Sequence, residues 1–153
     1  MKKQIGFIVL EGYLFLILYL LINKTYLGKI MSVKIKFLKE GVIATYSGNI
    51  EDNEIRDTFI DIIHKVNIDK INFILFDFTN IISYTIPPNS INIVKMITHF
   101  SVSHNEDIKA ITVATHPNII RLVNEIVKNQ EDLKWEYFLF DNLSDAKKLI
   151  ASA

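Results

Sequence analysis

Apolar and polar residues alternate from Val33 to Phe37 (Val-Lys-Ile-Lys-Phe), the two-residue period of a strand with one buried face. Lys39-Glu40-Gly41 reads as a turn, and Val42 to Tyr46 as a second strand, so the pair predicts a hairpin. Gly48-Asn49 ends it. The period then changes. Ile55, Phe59, Ile62, Ile63 and Val66 recur every three or four residues, which predicts a helix with one apolar stripe. Asn49 or Asp52 is placed to cap it, and Glu51, Asp52, Glu54 and Asp57 crowd its first turns, where the helix dipole favours carboxylates.

Ile71 to Phe78 is almost wholly apolar, as expected of a central strand covered on both faces. A loop from Thr79 to Pro88 is predicted to lead into a second helix carrying Ile91, Val94, Ile97 and Phe100. Lys109 to Ala114 reads as a fourth strand. His116-Pro117 opens a third helix, with proline at its first position and a stripe of Ile119, Ile120, Val123, Ile126 and Val127. Trp135 to Phe140 reads as a fifth strand, and Asn142 caps a last helix with Leu143, Ala146, Leu149 and Ile150 inward. The predicted class is α/β in the order ββαβαβαβα: a five-stranded, mostly parallel sheet with an antiparallel edge hairpin.

Upstream of this domain (31–153), residues 1–30 differ in character. Ile5 to Ile22 is a nearly unbroken apolar run of 18 residues, interrupted by Glu11 and two glycines. That is the lower limit for crossing a bilayer core of roughly 30 Å, and Glu11 at mid-run costs about 2.5–3.5 kcal/mol on insertion scales. Lys2 and Lys3 precede it, but no small-residue cleavage site follows, which argues against a removed signal. Three readings stay open: a membrane anchor, an upstream extension with Met31 as the natural start, or an element packed on the domain. As an anchor, its flanks place the domain in the cytoplasm, because Lys24, Lys29, Lys34, Lys36 and Lys39 outnumber the two lysines before it.

Composition narrows the function classes. Half of the 153 residues are apolar and 22% are charged, enough for a packed core. Lys+Arg and Asp+Glu both number 17, so no basic footprint for nucleic acid is present. Cysteine is absent, which excludes disulfides, thiolate metal sites and cysteine nucleophiles. Five scattered glycines leave no phosphate-cradling loop, and neither a P-loop nor a Gly-x-Gly-x-x-Gly motif occurs. His99 and His104 are five apart rather than the four of a helical zinc pair, and His64 and His116 stand apart. No Gly-x-Ser-x-Gly elbow exists. No cofactor, metal or catalytic residue is expected.

Four stretches carry a resemblance to a known family. Val42 to Gly48 (VIATYSG) runs into an acidic helix start, Phe73 to Thr79 (FILFDFT) ends in an Asp and a polar residue, Ile111 to Pro117 (ITVATHP) runs into a helix opened by proline, and Phe138 to Ile150 (FLFDNLSDAKKLI) closes with a strand, an acidic turn and an Ala-centred helix. As an ordered set, from Val33 to Ser152, they resemble the STAS family, and within it the SpoIIAA-like branch, which is similar in local pattern to CRAL-TRIO lipid-transfer domains. The resemblance implies a non-enzymatic protein-interaction or regulatory module. Antagonist-type members carry an Asp-Ser-Ser-Gly-like turn with a phosphorylated serine after the central strand. Here the corresponding stretch, Asp77 to Ser90, is longer, holds Pro87 and Pro88, and lacks that motif. Ser83, Thr85 and Ser90 are possible acceptors, but none matches.

The candidate partner- or ligand-binding set is Asp77, Thr79, Ser83, Tyr84, Thr85, Ile86 and Ser90. It lies at the C-terminal end of the central strand, where open α/β sheets place their sites. Asp77 is expected to cap the following loop more often than to hold a ligand. Ile81, Ile82, Tyr84 and Ile86 either cover the sheet edge or form an exposed apolar patch. The expected partner is another protein; the alternative is a lipid or hydrophobic small molecule, and membrane association would run through residues 5–22.

Overall fold

The computed structural model describes residues 32–51, 53–128 and 134–152. The apolar run at 5–22, and with it the choice among anchor, extension and packed element, lies outside the described residues. Among those described, no helix is long and apolar enough to cross a membrane.

The predicted class holds. Strands β1 (Val33–Phe37), β2 (Gly41–Ile50), β3 (Phe73–Tyr84), β4 (Lys109–Val113) and β5 (Glu136–Phe140) form one sheet in the order β1-β2-β3-β4-β5. β1 pairs antiparallel with β2, and every later pair is parallel. Helices α1 (Glu54–Lys65), α2 (Ser90–Val102), α3 (Pro117–Val127) and α4 (Leu143–Ala151) follow β2 to β5 in turn, and a short 3₁₀ turn spans Ile68–Lys70. Successive right-handed crossovers that step in one direction put their helices on one face. Accordingly α1, α2 and α3 share a face of the sheet, with Ile55, Val94 and Ile119 lining one cavity with Phe76 and Ala110.

The opposite face belongs to α4. Ala146 is buried against Phe73, Leu75, Ile111 and Val113, with Leu143, Leu149 and Ile150 packed around it. Leu75, Ile111 and Val113 are fully buried there, each gaining about 1.5–3 kcal/mol. β3 is therefore covered on both sides, which is why Phe73 to Phe78 lacks the alternation of a surface strand. At its entry the sheet is tight: a Cβ on Gly41 would lie 2.5 Å from the Phe73 ring, so glycine is required by close approach.

Capping follows local chemistry. Asn142 accepts the Asp145 N–H at 3.0 Å, and His116 Nδ1 accepts the Asn118 N–H at 3.3 Å ahead of Pro117. α1 departs from expectation. Its N-cap is Asn53, without a side-chain cap bond, and Asn49 lies inside β2. Instead Glu54, the first residue of the helix, accepts the Glu51 N–H at 2.9 Å and both the N–H and hydroxyl of Ser32 at 3.0 Å, which ties the helix start to the chain before it.

The predicted loop at Thr79–Pro88 is corrected. β3 does not end at Phe78 but continues to Tyr84. The reason lies in its neighbour. β2 runs to Ile50, past Gly48 with its φ of 72°, and supplies a parallel partner as far as Ile50↔Tyr84. Only Thr85 to Asn89 remains as connection.

Candidate functional site

The extension beyond the sheet positions the candidate residues. β4 ends at Val113, opposite Asp77, and β1 begins at Val33, opposite Tyr46. Past that level, among the described residues, β2 and β3 continue as a parallel ribbon, Ser47–Ile50 against Asn80–Tyr84, with the Ser47 N–H still donating to the Ser32 carbonyl at 2.9 Å. β3 carries one extra residue between Asp77 and Asn80 and another between Ile81 and Ser83. Such bulges re-aim side chains.

Asp77 sits at the first bulge and is only 4% exposed. Its Oδ1 accepts the Thr79 N–H at 3.0 Å and the Thr79 hydroxyl at 2.7 Å. The carboxylate thus caps a bulge within the strand and satisfies the Thr79 amide there. Ile82 sits at the second bulge and is 74% exposed. Beside it the Ser83 hydroxyl donates to Asn49 Oδ1 at 2.9 Å, tying the two ribbon strands together.

The candidate set divides into two layers. Thr79, Ser83 and Thr85 are exposed, with Asn80 and Ile82 among them, and Ile86 is half-buried. Tyr84 and Ser90 are inside, at 3% and 1% exposure. The Tyr84 carbonyl accepts from Asn118 Nδ2 at 2.7 Å, which pins the ribbon to the start of α3. Its hydroxyl lies beside Ser90, and burial pushes it up to about 12. Ser90 is enclosed as the first residue of α2, whereas Ser83 and Thr85 stand in solvent. Sequence reasoning missed the Asn118 tether and the Asn49 partner. Neither leaves a local signal, because each contact joins residues 34 apart.

A second feature lies between the sheet and α1–α3. A cavity of about 70 Å³ is lined by Phe59, Phe76, Leu122, Ile126, Trp135 and Tyr137 among others, and is almost entirely apolar. The hydroxyl of Tyr137, one of the lining residues, is buried without a hydrogen-bond partner among the described residues, and burial raises it well above the usual phenol range.

The histidines do not converge. His64 lies in the last turn of α1, His99 and His104 near the end of α2, and His116 caps α3. Among the described residues no group of three or more His, Asp or Glu could hold a metal ion. Neither the family models nor the curated proteins contain a match to this chain.

Proposed function

We propose that this chain is a non-enzymatic, STAS-like interaction module of the SpoIIAA-like kind, which docks a protein partner on the β2–β3 ribbon. The observation that carries this reading is the exposure of Ile82. A large aliphatic side chain stands 74% exposed at a bulge, on a ribbon that extends past β4. Around it Thr79, Asn80, Ser83 and Thr85 offer hydroxyl and amide groups. An apolar centre with a polar rim is the usual make-up of a protein-binding patch. The ordered resemblance to STAS domains, and the α/β architecture such domains share, support the same reading.

The cavity favours a second reading, a carrier of a hydrophobic ligand. Its size favours docking over a lipid cargo. At about 70 Å³ it is roughly half the engineered cavity that admits benzene and far below the about 300–1,000 Å³ of ordinary ligand pockets. In the docking reading, residues 5–22 tether the domain to the cytoplasmic face of a membrane, and fractionation of the native protein tests that tether.

The docking test is covalent capture in cells with the full chain and with Ile82→Asp. Loss of the captured partner in the variant supports the ribbon, and equal capture by both removes it. Stoichiometric lipid on the purified full chain in native mass spectrometry would transfer the function to the cavity.

A further inference from the structure

The two edges of the sheet are built differently. β1 carries Lys34 and Lys36, and edge lysines are a common device against pairing with another strand. β5 reads Glu-Tyr-Phe-Leu-Phe, with one charge at its start, no lysine and no proline. Among the described residues it pairs with β4 alone. Leu139 is 39% exposed on it.

The direction of its open backbone groups follows from one hydrogen bond. The Phe140 carbonyl accepts the Ala114 N–H at 2.9 Å, so the backbone groups of Phe140 face β4. A strand alternates this direction residue by residue. Phe138 therefore faces β4 as well, while Tyr137 and Leu139 turn both N–H and C=O outward.

We propose that β5 pairs antiparallel with β5 of a second copy of this chain, about a two-fold axis through Phe138, to form a continuous ten-stranded sheet. That axis sets Tyr137 opposite Leu139 of the other copy, twice. Both are outward-facing, so each pair exchanges two backbone hydrogen bonds, four in all. The side chains match too. Phe138 meets its own copy on the α4 face, and Tyr137 meets Leu139 on the other, aromatic against aliphatic, which is a favourable cross-strand pair. Glu136 falls opposite Phe140 at the ends of the ladder, where its carboxylate stays in water. A two-fold contact of this kind closes on itself and stops at the dimer. Five residues of edge make a small interface, so the dimer dissociates on dilution.

The pairing geometry supplies its own test. Leu139→Pro removes an N–H that points away from β4, so the internal ladder is untouched and the domain still folds. Sedimentation of the full chain over a range of concentrations reads the outcome. The wild type is expected to shift from one-chain to two-chain mass, Leu139→Pro to stay at one-chain mass with an unchanged circular dichroism spectrum, and Leu139→Ala to retain dimerisation at reduced affinity. Should Leu139→Pro fail to fold, Leu139→Lys replaces it, and amide exchange in the wild type gives an independent reading. The Tyr137 and Leu139 amides gain protection with concentration, while Phe138 and Phe140 are protected throughout. A wild type at one-chain mass throughout overturns the proposal. So does an assembly indifferent to Leu139→Pro and Leu139→Lys, including one held by residues 5–22. Ile82→Asp leaves this edge intact, so failure of the dimer and failure of the ribbon docking are read separately.

Discussion

Asp77 Oδ1 accepts two hydrogen bonds from a single residue, Thr79: its backbone N–H at 3.0 Å and its hydroxyl at 2.7 Å. Both form inside the bulge that carries β3 past the end of β4. A buried carboxylate at the C-terminal end of a central strand invites a ligand-binding reading. Here it serves the backbone. The expected result is that Asp77→Asn, which keeps an acceptor oxygen, folds with close to wild-type stability. Asp77→Ala leaves the Thr79 amide without its partner and costs about 1–3 kcal/mol. Urea denaturation of the two variants checks this, and equal losses in both would assign the role to the charge instead.

Ile82 and Tyr84 are two residues apart, yet they should respond oppositely to a carboxylate. Ile82 is 74% exposed and Tyr84 is 3% exposed. Ile82→Asp is therefore expected within about 0.5 kcal/mol of wild type. Tyr84→Asp buries a charge beside Ser90 and empties a large site, a loss of at least about 3–5 kcal/mol that leaves the domain unfolded or nearly so. Thermal melts followed by circular dichroism separate the two. For this reason Ile82, and not Tyr84, is the residue with which to probe docking.

The element order was legible because the helices repeat one period and the central strand is an unbroken apolar run. Ile55, Phe59 and Ile62 mark α1 at helical spacing and are buried there, and Phe73 to Phe78 mark the doubly covered strand. The candidate site was legible only in position. Thr79-Asn80-Ile81-Ile82-Ser83-Tyr84 holds polar residues and runs toward two prolines, so it reads as a loop. Its strand character comes from β2, whose length past Gly48 is a tertiary fact with no trace in the 79–84 sequence. The two bulges then broke the alternation that would have sorted inward from outward residues. That is why Ile82 and Tyr84 could not be told apart. Nor could the cavity be foreseen, since a stripe of apolar residues predicts burial but not how well the volumes fill.

The cavity bears on stability as well as on function. Ala110 lines it from β4, together with Phe76 and Trp135. Ala110→Val adds two methyl groups to a space of about 70 Å³, and filling of this kind commonly gains about 0.5–2 kcal/mol. The denaturation midpoint should rise with an unchanged m-value. A fall would mean that the void closes by relaxation around alanine and that valine overpacks it.

Alkaline pH should unfold the domain through its tyrosines. Tyr46, Tyr84 and Tyr137 are all raised from the ordinary phenol value, first by burial, and Tyr84 reaches about 12. A raised folded-state value means that the native state holds its proton where the unfolded chain has released it. The associated stability is complete below about pH 10, the unfolded value. It is lost progressively as pH climbs from there through about 12. Each unit of difference is worth about 1.4 kcal/mol at a fully buried site, so ionisation of these phenols works against the folded state. In an absorbance titration these three phenols should ionise late and together, coincident with the loss of circular dichroism. Tyr46→Phe and Tyr137→Phe should each move that transition to higher pH, Tyr137→Phe also relieving a buried hydroxyl that has no partner among the described residues. Ionisation near pH 10 without unfolding would show that the phenols reach water in the native state.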